Sequence, residues 1–490
     1  MPLEPMKGAL GLQGGYDHFA GPTLPMRFSP DHPAFAGVLQ VLHIGSRELR
    51  RRASTEHTHL SDCRLLKWFE RASGRVGADA FNTAERIQRV GPQNMPNEGR
   101  GVAVCIIVEN LVVPPDRRVW QEANALSAAG YSVSIICPKG LGYTRSRERI
   151  NDVEIYRHAS LEWPGLLGHI IEYVWALAAE FILALRIYER SRFRILHACN
   201  PPDTIFLIAL FFRVFGVRFI FDHHDLTPEF CQVRFPRKSW LYWCARLAEK
   251  LTFRAADVAI STNQSFRQIA LLRGGVKADR NFVVRTCPDL KDLAFTPHPH
   301  LKRGRRHLVV YVGVMEPQDG LGLLLESIDC LVNGQGREDT LFVLIGFGTE
   351  VPSLRSRVAD LGLLPWVEFA GPLYGDDLWA YLATADVAVA PDPSNVLNNK
   401  LTMIKILEYM AFGLPIVLYD LEEGKRSANG AALHAEANDP VDFASKVGTL
   451  LDSESLRQRL GGKGRENILG GMNWEAEKKR LLEAYRTALR

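Results

Sequence analysis

Glu408 is the residue whose placement best suggests binding chemistry. It interrupts the apolar set Leu401, Ile404, Ile406, Leu407, Met410 and Ala411 of a helical pattern running from Lys400 to about Phe412. Lys405 lies three residues earlier on the same face, and Lys400 sits at the helix start. A carboxylate there can accept two hydroxyl hydrogen bonds, about 1.5–3 kcal/mol each. The plain alternative is a solvated carboxylate paired with Lys405, worth about 0.2–0.5 kcal/mol. Asp222, His223, His224, Asp225 and Glu229 form a second dense stretch. Adjacent histidines in an extended loop point to opposite sides, so no two-histidine metal site is expected. A single histidine then serves as a general base or polar contact; the alternative is a capping cluster at a helix start.

Both stretches need parallel sheets to position them. Val102–Val108 is a continuous apolar run that reads as a buried strand. Asp116 can N-cap a helix over Arg117–Ala129, which Gly130 ends, and Tyr131–Ile136 is the next strand. No G-x-G-x-x-G follows the first strand, so no dinucleotide site is expected there. Strands over Phe193–Ala198 and Val217–Phe221, and a strand entering a loop over Ala255–Asn263, continue the series, and a helix is expected to start within Cys199–Asp203. After a basic linker over His298–Arg306, a second alternation runs through Leu308–Val314, Leu341–Gly346, Trp366–Gly371, Asp386–Pro391 and Ile416–Tyr419. Gly413 stops the Glu408 helix and Pro415 forbids a restart. Gly346 and Gly348 alone are a weak phosphate signal. Trp474–Leu489 reads as a terminal helix.

Bulk composition bounds the function. The 490 residues suggest two or three domains, and 47% hydrophobic with 23% charged residues is ordinary for a globular chain. A net charge of +4 gives no general nucleic-acid signature. Eight scattered cysteines without a C-x-x-C pair fit a reducing cytoplasm and argue against a metal or disulfide framework. Residues 1–98 are rich in Pro and Gly, carry the run Arg50–Arg52, and read as a poorly ordered extension with a possible helix near Cys63–Ala72. No secretory signal is visible in the first thirty residues. Leu166–Tyr188 has the length of a membrane span, but His169, Glu172 and Glu180 fall on one face of it. The expectation is a long amphipathic helix, buried against the sheet or lying in a bilayer surface. Arg234–Arg246 interleaves aromatic rings with cations, which suits a headgroup interface.

Several phrases together resemble a known family. "KILEYMAFGLPIV", "FIFDHHDLTPE", the Asp116–Leu126 helix start and "NPPD" are similar to motifs of the retaining family-four glycosyltransferases, over about residues 101–490. The pattern most resembles a subgroup acting on lipid-linked sugars in bacterial surface-polysaccharide assembly. The resemblance implies an α/β GT-B fold: two Rossmann-like domains with parallel sheets facing a central cleft, and a C-terminal helix crossing back. The implied bounds are 1–98 extension, 99–295 acceptor domain, 296–473 nucleotide-sugar domain and 474–490 crossover helix. It further implies His224 as catalytic; Lys405 would join it by supplying a leaving-group cation. Glu408 would hold the donor ribose, with Lys400, Thr402, Gly313, Gly320, Gly346, Gly348 and Gly371 around the donor. Asp116, Arg118, Asn200, Asp203 and Asp225 would lie on the acceptor side. No cofactor and no metal are expected; the partners would be a nucleotide-sugar, a lipid-linked saccharide and the inner-leaflet surface, not nucleic acid.

The departures are local. Lys400 stands where many members have a Glu, Val314 and Asp319 where they have Arg and Lys, and Leu401 and Ile404 where the subgroup has Ser and Asn. Those changes keep two alternatives open: a catalytically degenerate sugar-nucleotide or saccharide-binding protein, and a nucleotide-sugar epimerase.

Overall fold

The computed structural model describes residues 99–161, 165–289 and 296–490, so the expectations for residues 1–98 lie outside the described residues. The first unit runs β1 (Ala103–Val108), α1 (Arg117–Ala128), β2 (Ser132–Pro138), β3 (Arg147–Ile150), β4 (Val153–His158), α2 (Gly165–Ser191), β5 (Ile195–Cys199), α3 (Phe206–Arg213), β6 (Arg218–His223), α4 (Thr227–Arg234), α5 (Ser239–Ala255), β7 (Val258–Ser261), α6 (Gln264–Leu272) and β8 (Asn281–Val283). Its strand order is β3-β4-β2-β1-β5-β6-β7-β8, parallel except for the β3–β4 pair. β1 is buried on both faces. Val104, Ile106 and Val108 join one core cluster, and Cys105 and Ile107 join another that includes Ala184 and Ile187 of α2 and Phe212 of α3. Each such fully buried aliphatic side chain contributes about 1.5–3 kcal/mol.

The second unit runs β9 (His307–Val314), α7 (Leu321–Asp329), β10 (Thr340–Phe347), α8 (Val351–Asp360), β11 (Val367–Gly371), α9 (Gly375–Thr384), β12 (Val387–Ala390), α10 (Ile404–Ala411), β13 (Ile416–Tyr419), α11 (Glu422–Ala428), β14 (Ala432–Ala435), α12 (Pro440–Asp452) and α13 (Glu454–Leu469). Six parallel strands lie in the order β11-β10-β9-β12-β13-β14. The order reverses between β9 and β12, and in the first sheet between β1 and β5. Ligands of such sheets bind beyond the strand carboxyl ends at those reversals.

The last helix, α14 (Trp474–Leu489), returns to the first unit. Trp474, Leu481, Leu482 and Tyr485 complete the cluster that contains Val104 and Ile106. The Tyr485 hydroxyl lies 2.7 Å from His197 Nδ1, and Glu477 Oε2 accepts the Arg285 backbone N–H at 3.1 Å. The expected two-domain α/β architecture with a returning helix is therefore present.

Two local expectations need correction. The helix after the Asn-Pro-Pro-Asp phrase begins at Phe206 rather than within Cys199–Asp203, because Asp203 does not cap it. Its Oδ1 instead accepts from Asn200 Nδ2 at 3.2 Å, and no side chain caps the helix. The Glu408 helix begins at Ile404, not Lys400. Asn263 Nδ2 donates to the Lys400 carbonyl at 2.8 Å and to Thr402 Oγ1 at 3.0 Å, and this holds the lead-in extended.

The long segment is one 27-residue helix, α2. Glu172 and Glu180 are both buried, as their shared face requires, while Tyr173, Val174, Trp175 and Ile182 are exposed. No helix among the described residues is long and apolar enough to cross a membrane.

Candidate functional site

The chain stops α10 by geometry: Gly413 takes φ +69°, and Pro415 follows. Ile406, Leu407, Tyr409, Met410 and Ala411 are buried against the second sheet. The remaining face carries Lys405 and Glu408 at the cleft. Glu408 keeps 20% of its side chain exposed, and it pairs with Arg117 Nη1 from the other domain. Arg117 opens α1, directly after the cap Asp116, whose Oδ1 accepts from the Val119 N–H at 3.0 Å. The pairing of Glu408 with Lys405, weighed from the sequence, does not occur.

Each lysine has its own carboxylate. Lys405 Nζ donates to both oxygens of Asp392, at 2.9 and 3.0 Å, and lies 4.8 Å from the Tyr311 ring centroid. Burial lowers the Lys405 ammonium pKa, but the charges of Asp392 and Asp319 outweigh it and raise the value. Lys400 Nζ donates to Glu229 Oε1 across the domain boundary at 3.0 Å. Neither is the free cation that the sequence pattern suggested. Asp319, at the end of the turn after β9, accepts the Glu316 N–H at 3.1 Å. Burial, opposed by the charge of Lys405 and assisted by that of Asp392, pushes its carboxyl up to about 6.

Glycines at this edge allow close backbone approach. A Cβ at Gly346, where φ is +141°, would sit 1.8 Å from the Gly313 carbonyl oxygen. One at Gly320, φ +75°, would meet the Pro391 carbonyl oxygen at 2.0 Å. Gly348 packs on the Met315 backbone, whereas Gly371 has open space around its Cβ position. These contacts bring the ends of β9, β10 and β12 together.

Across the cleft, Asp222 organises the first domain's edge. Arg118 Nε and Nη2 donate to its two oxygens, both at 2.7 Å, and His224 Nδ1 lies 3.2 Å from Oδ2. Burial alone would raise this carboxyl. The Arg118 charge, with hydrogen bonds from His224 and Arg118, instead holds it well below the usual range. Burial also opposes a charged His224, but the hydrogen bond and charge of Asp222 raise its pKa. Asn200 splices two loops: its Oδ1 accepts the His224 and Asp225 N–H groups at 2.9 and 3.1 Å, and its Nδ2 donates to the Asp225 carbonyl at 2.8 Å. Burial raises the carboxyls of Asp225 and Asp203, the latter to about 6. Arg118, expected on the acceptor side, turns inward and is buried; its neighbour Arg117 takes the cleft. Helical rotation of about 100° per residue separates the two roles.

The domains meet closely around this cleft. Leu226 and Phe266 of the first pack with Leu397 of the second, flanked by Phe230, Ile269 and Leu401. Ser265 Oγ donates to Glu423 Oε2 at 2.7 Å. Residues 115–287 match the glycosyl transferase 4-like domain, and residues 306–453 match the glycosyl transferases group 1 family. The chain belongs to these glycosyl transferases. The sulfoquinovosyl transferase SQD2 of Arabidopsis thaliana is 24% identical over 300 residues, 57% of this chain and 54% of that protein. The lipopolysaccharide core biosynthesis glycosyltransferase LpsE of Rhizobium meliloti is 33% identical over 138 residues, 27% of this chain and 38% of that protein. The chain thus spans about half or less of the length of these curated relatives. Anabaena Alr3699/HepE, solved in complex with UDP, has a TM-score of 0.58 at 14% identity, covering 79% of this chain and 99% of that one. That likeness is one of fold, the paired-domain arrangement called GT-B.

Proposed function

We propose that this glycosyl transferase moves a sugar, with retention, from a nucleoside-diphosphate donor to a lipid-linked saccharide in surface-polysaccharide assembly. The observation that carries the reading is the position of Glu408: a partly exposed carboxylate on α10, beyond the strand carboxyl ends, facing the other domain. The ribose hydroxyls would replace Arg117 on it. No side chain caps α10, so its first N–H groups and dipole are suited to the diphosphate. Bond making joins an acceptor hydroxyl oxygen to the anomeric carbon, while the diphosphate leaves with the electron pair and takes up the hydroxyl proton. His224 would contact the reacting sugar. Closure of the two domains would supply proximity, a term that reaches about 7–11 kcal/mol. The UDP in the Anabaena structure and the lipopolysaccharide role of the Rhizobium relative support the donor and acceptor classes. A screen of nucleotide-sugars against lipid-linked saccharides, with mass detection of product, tests the reading. A transferred sugar is expected; a free epimerised sugar-nucleotide would replace the reading with the epimerase.

A binding protein without turnover is the second reading, favoured by one observation: Asp392 holds Lys405 through both oxygens. Asp319 adds a pH dependence to either reading. Its carboxyl is neutral below about pH 6 and ionised above, so it repels a diphosphate only at the higher pH. Asp319→Asn is expected to lower the donor KM about three- to tenfold at pH 8, roughly 0.6–1.4 kcal/mol of relieved repulsion. At pH 5 it should change little. Equal effects at both pH values would exclude the charge as the cause.

The acceptor's lipid would lie along α2, α3 and α5. Exposed Trp175 of α2, Phe211, Val214 and Phe215 near α3, and Trp240, Trp243 and Leu247 of α5 make an apolar surface. Phe181 and Phe211, with ring centroids 4.9 Å apart, join α2 to α3. Arg234, Arg237, Lys238 and Arg246 supply cations beside it. Co-sedimentation with anionic liposomes is expected at low salt and should vanish at high salt. Replacing Trp240 and Trp243 by alanine should weaken binding roughly tenfold. Absence of sedimentation at any salt would remove the interfacial role.

A further inference from the structure

A second convergence of titratable groups lies in the first domain. Glu109 follows β1, His158 ends β4, and Glu180 sits in the second half of α2. One ligand atom from each lies within 4.8 Å of the others. Glu180 is completely buried, and neither of its oxygens has a hydrogen-bond partner. Burial and the charge of Glu109 push its carboxyl well above the usual range.

The histidine makes the deficit specific. His158 Nδ1 lies 3.2 Å from the Ala159 carbonyl oxygen. A carbonyl only accepts, so Nδ1 carries the proton and donates. The other ring nitrogen, Nε2, faces Glu109 Oε2, 3.0 Å away. That approach lacks hydrogen-bond geometry, and both atoms are left without a partner. No lysine or arginine pairs with Glu109 or Glu180 among the described residues. Both Glu180 oxygens, Glu109 Oε2 and His158 Nε2 thus converge without a hydrogen-bond partner, which is costly in a buried setting.

We propose that Glu109, His158 and Glu180 bind one divalent transition-metal ion, of the zinc or manganese class. One imidazole and two carboxylates are a donor set suited to such ions. Ligand bonds of about 2.0–2.2 Å put neighbouring donors roughly 3.0–3.5 Å apart, and the 3.0 Å separation of His158 Nε2 from Glu109 Oε2 falls in that range. Donation from the other ring nitrogen to a backbone carbonyl is the outer-shell support that metal-bound histidines use. Three protein ligands leave a position for an outside oxygen. The ion fastens α2, the helix that carries exposed Trp175 and Ile182, to the carboxyl edge of the first sheet. This site does not depend on the donor chemistry above. In the other convergent set, His197, Cys199 and Asp222, the carboxylate already accepts from Arg118 through both oxygens.

Full-length protein, stripped with chelator and dialysed, is titrated calorimetrically with zinc or manganese alone, beside Glu180→Gln and His158→Gln. The wild type is expected to take up one ion, and its melting temperature should rise by several degrees on refilling. Each variant should lose roughly tenfold or more in affinity, with an unchanged circular dichroism spectrum. Metal-dependent stabilisation of the wild type serves as the second readout if a variant folds poorly. Wild-type protein that takes up no ion and is not stabilised overturns the proposal in favour of a proton shared by Glu180 and Glu109. Equal uptake by wild type and folded variants overturns it in favour of sites elsewhere, such as the exposed His298 and His300.

Discussion

Glu408→Ala is expected to lower kcat/KM for the donor by about 10²- to 10⁴-fold. The figure follows from two hydroxyl hydrogen bonds to an ionised carboxylate, about 1.5–3 kcal/mol each, at tenfold per 1.4 kcal/mol. The melting temperature should barely move. The partner Arg117 keeps 45% of its side chain exposed, and such surface pairs contribute about 0–1 kcal/mol. A large kinetic effect on a stable protein therefore separates a binding carboxylate from a structural one. Steady-state kinetics with ribo- and 2′-deoxyribonucleotide donors checks it: the variant should lose most of its discrimination between them. Donor kinetics within threefold of wild type would return Glu408 to the plain role of an interdomain ion pair.

Lys405→Met carries the second large effect, and it is first one of stability. Asp392 is 2% exposed and both of its oxygens accept from this lysine. Removing one member of a buried pair costs about 3–5 kcal/mol, because the other is left charged and unsolvated. For a unit of this size that is roughly 6–20 °C in melting temperature. Adding Asp392→Asn should recover most of the loss, giving a strong coupling in the double-mutant cycle. Turnover then decides the function of the lysine. If Lys405 stabilises the leaving diphosphate, the refolded double variant stays slow by more than roughly tenfold, about 1.4 kcal/mol of barrier. A double variant as fast as wild type would reduce Lys405 to the counter-ion of Asp392.

The elements around the cleft were legible because local rules wrote them. Asp116 caps α1 and Gly413 ends α10, each through backbone geometry that a few neighbouring residues determine. β1 and β13 read as buried strands from continuous apolar runs, and α14 returns to the first core as the family pattern implied. The electrostatics were not legible, because the partners are far apart in sequence. Lys400 meets Glu229 across 171 positions, and Arg117 meets Glu408 across 291. Two adjacent arginines give no signal of which meets Glu408 and which turns in to Asp222. The α10 start moved to Ile404 for a similar reason: the Asn263 amide that claims the Lys400 carbonyl comes from the other domain. Glu109, His158 and Glu180 carried no spacing signal, since a strand end, a second strand end and a helix bring them together.

Equilibrium titration of the wild type and Glu408→Ala with a panel of nucleoside diphosphates tests the central claim most directly. At least one nucleotide should bind the wild type and bind the variant about a hundredfold more weakly, with a 2′-deoxy analogue reproducing much of that loss on the wild type. Binding of equal strength to both proteins, or of none to the wild type, would contradict a donor whose ribose rests on α10.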